Sequence, residues 1–258
     1  MITDSFDLSE SGIINPQKII SPIENFPEIS IGIFSRDIVS TLAEQYHALQ
    51  IAEISTASVC QPIYKLTIDR TEIALHAPLV GAPTASASLE EISAMGAKYF
   101  VFGGMCGVLR HDIADGHLIV PDCAVRDEGF SYHYCKPAHE IKLNKTTVAL
   151  TERVLAALNL PYITGKVWTT DAFYRETPSK IALRKKENCI CVDMECSALA
   201  AVAEYRNLPF AQFFFAADNL DSSEWEQREL HKRGKNKTDI YITAAIEIGK
   251  ALRKHFQK

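Results

Sequence analysis

The chain has 258 residues, 47% of them hydrophobic and 23% charged, which suits one large buried core and argues against a disordered chain. A formal net charge of −5 provides no basic footprint, so nucleic acid and anionic membrane surfaces are disfavoured as main partners and a small molecule is expected. Seven scattered cysteines without a C-x-x-C pair, no leader-like start and no membrane-length apolar run point to reduced thiols, no metal site and a cytoplasmic location.

Residues 1–28 are polar and contain Pro16, Pro22 and Pro27, which predicts an irregular N-terminal arm ahead of one domain at 29–258. Residues 29–34 form a short apolar strand, followed by helical spacing over 39–49. Two strands, 63–68 and 71–76, are joined by the turn Asp69-Arg70, and Gly81-Ala82-Pro83 breaks the chain before a helix at 86–95. Ser88 and Glu91 have capping-box spacing there, the apolar pattern also permits an earlier start, and Gly96 suits the C-terminal end. Residues 99–102 are a continuous apolar run into Gly103-Gly104-Met105-Cys106-Gly107, which reads as a buried strand opening into a tight loop.

Strands at 118–120, 123–125 and 164–168 and a helix at 147–158 continue the alternation. The last third adds strands at 189–192 and 211–217 and helices at 196–204 and 239–253. Alternating strands and helices predict a three-layer αβα fold with a central mixed sheet. Residues 218–237 are long and polar, consistent with a lid or a solvated loop. His76, inside an apolar strand, reads as a satisfied core histidine, and the run 184–187 as a solvated helix face.

Acidic residues mark the ends of two apolar segments, Asp193 and Glu195 after one strand and Asp218 after another. Ligands of open α/β sheets bind beyond the strand ends, so these carboxylates mark a candidate site. The glycine-rich segment offers backbone N–H groups for an anion, although a plain strand-ending turn has the same composition.

With these carboxylates, the sequence resembles the nucleoside phosphorylase and nucleosidase superfamily from residue 31 onward. The matching pieces are Gly32 through Arg36, Gly81-Ala82-Pro83, Gly104-Met105-Cys106-Gly107, Asp171-Ala172-Phe173-Tyr174, Asp193-Met194-Glu195 and Asp218. The run Val125-Arg126-Asp127-Glu128-Gly129-Phe130-Ser131-Tyr132-His133-Tyr134 is similar to a bacterial uridine phosphorylase-like branch.

The resemblance implies that Met194 packs against a ribose and that Glu195 accepts hydrogen bonds from two of its hydroxyls. Asp218, 23 positions beyond Glu195, takes the place of the acid that purine-cleaving members direct at N7. Phe173 and Arg175 would contact the base; the pyrimidine-reading Gln and Arg of uridine-specific relatives align with Thr177 and Ser179. Gly32, Arg36, Gly104, Met105 and Cys106 would form the phosphate site, with Arg126 and His133 as possible additions. The chain departs from the family where phosphorylases carry a phosphate-binding arginine and a hydroxyl residue, since Phe102 and Met105 stand there.

The implied activity is phosphorolysis of a nucleoside to free base and pentose 1-phosphate, purine slightly favoured. It needs no cofactor beyond phosphate as co-substrate, and a homo-oligomer, dimeric or hexameric, is implied. A uridine phosphorylase, a nucleosidase using water and a non-catalytic nucleoside binder are the alternatives.

Overall fold

The first apolar run becomes β1 (Ile29–Ile33), buried at every position as a strand inside a parallel sheet must be. The structure is a computed structural model describing residues 6–7, 12–222, 224–228, 230 and 238–257. β1 pairs in parallel with β4 (Thr71–His76) on one side and β5 (Tyr99–Val108) on the other. β3 (Cys60–Ile68) joins β4 through Asp69 and Arg70, whose φ values of 46° and 62° give the left-handed pair a two-residue hairpin needs. β2 (Leu49–Ser55) is the outer strand on that side.

Two expectations change here. The helix expected over 39–49 is α2 (Arg36–Gln45); His47 turns to φ 48° and Leu49 already begins β2. The loop expected at residues 103–107 is strand throughout, because β10 (Phe210–Asn219) pairs beside it along its whole length.

The remaining strands are β6 (Leu118–Asp127), β7 (Glu140–Lys142), β8 (Tyr162–Thr170) and β9 (Cys189–Asp193). β6 unites the two short strands expected at 118–120 and 123–125 across a register shift between Pro121 and Cys123. β5 pairs with β9, β9 with β8, β8 with β6, β6 with β10 and β10 with β5, so these five strands close a ring within the mixed sheet.

Helices cover both faces. Ile29, Ile31 and Ile33 pack with Leu42 of α2, Leu150 of α4 (Lys145–Ala157) and Ile246 of α7 (Thr238–Phe256). On the other face, Phe100 and Phe102 pack with Leu89 and Ile92 of α3 (Ala82–Met95) and Leu199 of α6 (Cys196–Arg206). Two apolar cores on either side of one sheet make the three-layer αβα architecture. Within the N-terminal arm lies a four-residue helix, α1 (Pro16–Ile19); beyond it Phe26 is buried and Ile23 N–H donates to Met95 O at 2.9 Å. Among the described residues no helix is long and apolar enough to cross a membrane.

Candidate active site

The end of β9 decides what Glu195 can do. Asp193 Oδ2 accepts the backbone N–H groups of Glu195 (2.9 Å) and Cys196 (2.7 Å), and its Oδ1 accepts Thr169 Oγ1–H at 2.7 Å. Asp193 therefore caps α6, and Glu195, at the N-cap position, makes no capping bond with its own side chain. Instead Glu195 Oε1 accepts the Gly81 N–H at the start of α3, at 2.6 Å. The residue is only 6% exposed. Burial pushes both carboxyls above the ordinary carboxylate range, and the repulsion between them adds to the shift of Glu195.

Asp218 arrives from β10. Its register against β5 shifts between Ala216, opposite Cys106, and Asp218, opposite Gly107, a β-bulge that re-aims the side chain. Gly107 leaves room for it, since a Cβ there would lie 3.2 Å from Asp218 Oδ1 and 2.7 Å from Leu220 Cδ1. Trp225 Nε1–H donates to Asp218 Oδ2 at 2.8 Å, and backbone bonds between Asn219 and Glu226 hold the returning chain beside β10. The segment 218–237, expected as a lid or a solvated loop, is described only in part; residues 223, 229 and 231–237 lie outside the described residues.

These strand ends enclose a cavity of about 520 Å3, within the usual size of a small-molecule site. Phe34, Met194, Phe173 and Trp225 give it apolar walls, and the Gly104-to-Gly107 segment of β5 lines it as well. Four acidic residues line it, Glu176, Asp193, Glu195 and Asp218. No Lys, Arg or His lines it among the described residues, and no group of His, Cys, Asp or Glu among them is arranged to hold a metal.

The model of one protein family, the phosphorylase superfamily, matches residues 34–250. The chain belongs to that superfamily. A guanosine phosphorylase from Halorubrum lacusprofundi is 29% identical over 188 residues, which is 72% of this chain and 77% of the relative. A uridine phosphorylase structure from Vibrio fischeri is 25% identical with a TM-score of 0.71, covering 92% of this chain and 93% of that one. The purine nucleoside phosphorylase structure from Toxoplasma gondii shares the fold at 18% identity, with a TM-score of 0.75 over 91% of this chain and 97% of that one. As a member of the phosphorylase superfamily the chain is an enzyme of the nucleoside phosphorylase type, a pentosyltransferase.

Of the residues that the sequence suggested for a phosphorylase site, Met194, Glu195, Asp218, Phe173, Gly104, Met105 and Cys106 line the cavity. Five others do not. Gly32 is packed under the Phe102 ring, where an added Cβ would stand 2.9 Å from Phe102 Cδ1. Phe102 is fully buried among Phe34, His76 and Phe210, so the position of the family's arginine has become core. Arg36 is exposed at the first position of α2, two residues past the lining Phe34. Arg175 is exposed on the 3-10 turn Phe173–Arg175 and points to no wall of the cavity; its neighbour Glu176 lines it instead.

Arg126 and His133 do not line the cavity. Arg126 is 4% exposed and directs its guanidinium at Ser131 Oγ (2.8 Å), Lys136 O (2.8 Å) and Cys135 O (3.4 Å), while stacking over Tyr132. It clamps the loop after β6. His133 is exposed on the 3-10 turn Ser131–His133 and contributes nothing to the cavity wall. Replacing Arg126 with Met strands two backbone carbonyls and is expected to destabilise the protein by about 2–4 kcal/mol in urea unfolding, with KM for phosphate unchanged. A raised KM at unaltered stability would return Arg126 to the site.

Packing decides two further expectations. His76 is the core histidine expected, edge-on to the Phe102 ring; burial lowers its pKa to about 3 against the opposing influence of the Ile31 backbone, so the ring is neutral. The run 184–187 is solvated at Lys185 and Lys186, as expected, but Arg184 is buried, pairs with Asp127 and Glu187, and stacks over Trp168. Thr177 caps α5 (Pro178–Lys186) by accepting the Lys180 N–H, and its hydroxyl is paired with that of Ser179, which accounts for both residues structurally.

Proposed function

We propose that the enzyme cleaves the N-glycosidic bond of purine nucleosides with phosphate as nucleophile. The observation that carries this is the presence of Glu195 and Asp218 on the wall of one cavity, with Met194 and Phe173 beside them. An ionised Glu195 has two oxygens to accept from the vicinal hydroxyls of a ribose, a pairing stronger than neutral hydrogen bonds. Phosphate oxygen attacks C1′ and the bond from C1′ to N9 breaks. The electron pair passes into the purine, where a proton delivered by Asp218 to N7 neutralises it. That role is favoured by the sequence similarity to a guanosine phosphorylase and by the acid's setting beside an indole donor that fixes its orientation. No cofactor enters this scheme.

Phosphate is the demanding partner. A dianion entering a cavity lined by four acidic residues and, among the described residues, no cation is repelled unless a positive group joins the site. Arg36, at the N-terminus of α2 and two residues past the lining Phe34, is one candidate. A basic residue from a second copy, in the homo-oligomer the family resemblance implies, is the other source.

The same lack of cations favours a second reading, hydrolysis by water, in which Phe102 and Met105 are tolerated because no anion binds. Both are tested by incubating the pure protein with inosine, guanosine, adenosine and uridine, each with and without phosphate. Purine release that requires phosphate and yields pentose 1-phosphate is the expected result. Release of free ribose at the same rate without phosphate would establish the hydrolase, and binding of nucleosides without release of any base would overturn both.

A further inference from the structure

The Asp218 carboxyl is held by a chain of contacts that ends outside the cavity. Its Oδ2 accepts the Trp225 indole N–H, and Trp225 sits on a segment that leaves β10 and returns to it. Asn219 and Glu226 exchange two backbone bonds, at 2.9 and 3.1 Å, and Asn219 Nδ2 donates to Glu226 Oε2 at 2.9 Å. A return held by one residue pair is marginal on its own. It needs an anchor elsewhere.

Asp221 provides one from within the return, without lining the cavity itself. Its N–H donates to Asn219 Oδ1 at 2.9 Å, and its Oδ2 accepts the His111 N–H at 3.0 Å with His111 Nδ1 at 3.3 Å. Its Oδ1 pairs with the Lys185 ammonium of α5. Burial acts against the charge, but the ammonium and the His111 N–H outweigh it and hold the carboxyl below the ordinary carboxylate range. Since α5 follows the turn that carries Phe173, one carboxylate ties together two segments that give the cavity aromatic walls, Trp225 from one and Phe173 from the other.

We propose that Asp221 is a positioning residue for the reaction: anchored to Lys185 and His111, it holds Trp225 where the indole N–H orients Asp218 towards the base. This rests on the reading of Asp218 as the acid. Proton delivery along one direction gains from a carboxyl fixed in its torsion, and a displaced indole leaves that carboxyl free to rotate. An ion pair near the surface adds little to global stability. The value of this one lies in where it puts the indole.

Asp221→Asn keeps an oxygen for the His111 N–H and gives up the charge facing Lys185; Lys185→Met removes the same pair from the other side. Each should lower kcat for guanosine by about tenfold, a fraction of what a general acid contributes, with KM little altered. The double variant should be no worse than either single one, because all three lose one interaction. Lys185→Arg, which keeps the charge pair, should restore guanosine turnover. Melting temperatures should stay within a few degrees of wild type.

Two readouts separate positioning from a loosened fold. Of the two tryptophans, Trp168 is fully buried and Trp225 is 54% exposed, so iodide quenching of the fluorescence reports Trp225 and should rise in Asp221→Asn and Lys185→Met. The second is 7-methylguanosine, whose ring already carries the charge that a proton at N7 would bring; both variants should turn it over at close to the wild-type rate. Unchanged guanosine kinetics or unchanged quenching in these variants overturns the assignment. So do equal losses on guanosine and 7-methylguanosine in them when Asp218→Asn spares 7-methylguanosine, and the acid reading then stands. Equal losses on both substrates in Asp218→Asn itself overturn the acid reading and this assignment with it.

Discussion

Replacing Glu195 with Gln is expected to lower kcat/KM for every nucleoside by about 10²–10⁴-fold, the loss of two charge-assisted hydrogen bonds, while making the protein more stable at alkaline pH. The two effects have one cause. Glu195 is buried beside Asp193, and the charge that the proposed ribose binding requires is the charge its surroundings disfavour. Its carboxyl is raised above the ordinary 4.5 in the folded protein, so its favourable contribution is complete below that value and is lost as pH rises through the elevated folded value. The glutamine variant lacks this loss and retains an oxygen for the Gly81 N–H. The difference in stability, variant minus wild type, should therefore grow from pH 5 to pH 9, reaching about 1–3 kcal/mol, or several degrees in Tm. Activity of the wild type should climb over the same interval, as ionised Glu195 accumulates. Wild-type kinetics in Glu195→Gln would remove ribose binding from this residue; a variant less stable than wild type at pH 9 would show that the carboxylate is structurally required.

Much of the architecture can be read in the sequence, and the failures have identifiable physical sources. β1 and β9 are short runs buried at every position, and their length of five residues favours strand over a buried helix. The acids at the end of β9 stand where the chain must leave the sheet, which made Asp193 and Glu195 visible as a pair; that Asp193 caps α6 and releases Glu195 for a ligand depends on N–H positions no pattern reveals. Glycines 103, 104 and 107 signal a loop locally, yet pairing with β10 and the packing of Phe34, Phe213 and Leu220 over them keep the segment in strand. The apolar spacing of α2 runs on through Tyr46 and Leu49, so only the left-handed His47 marks the helix end. Ring closure by β10 against both β5 and β6 joins strands a hundred residues apart in sequence and leaves no local trace. Arg126 enters as a possible site cation through the family resemblance alone; three acceptors on the following loop, which no local pattern shows, hold its guanidinium. Glu176 was missed as a lining residue, being one acid among exposed polar residues until the turn at Phe173 brings it to the cavity.

Asp218→Asn should lower kcat for guanosine and inosine by about 10²–10⁴-fold, the usual contribution of a general acid, with KM little altered. Asparagine keeps an oxygen for Trp225 Nε1–H and an amide N–H that can still meet N7. What it cannot do is transfer a proton as the C1′–N9 bond breaks, so the defect should belong to the bond-breaking step. The decisive substrate is therefore one whose leaving group needs no proton. A nitrophenyl riboside expels a stable phenolate, and 7-methylguanosine already carries the positive charge that N7 protonation would create. With either, Asp218→Asn should retain turnover within about tenfold of wild type, because general-acid assistance has no barrier left to lower. Glu195→Gln should remain severely impaired on both, since the ribose still has to be held. An equal loss on guanosine, 7-methylguanosine and the nitrophenyl riboside would show that Asp218 positions substrate or holds Trp225 and does not deliver the proton. Matched losses on uridine and guanosine would go further and detach this residue from the purine ring.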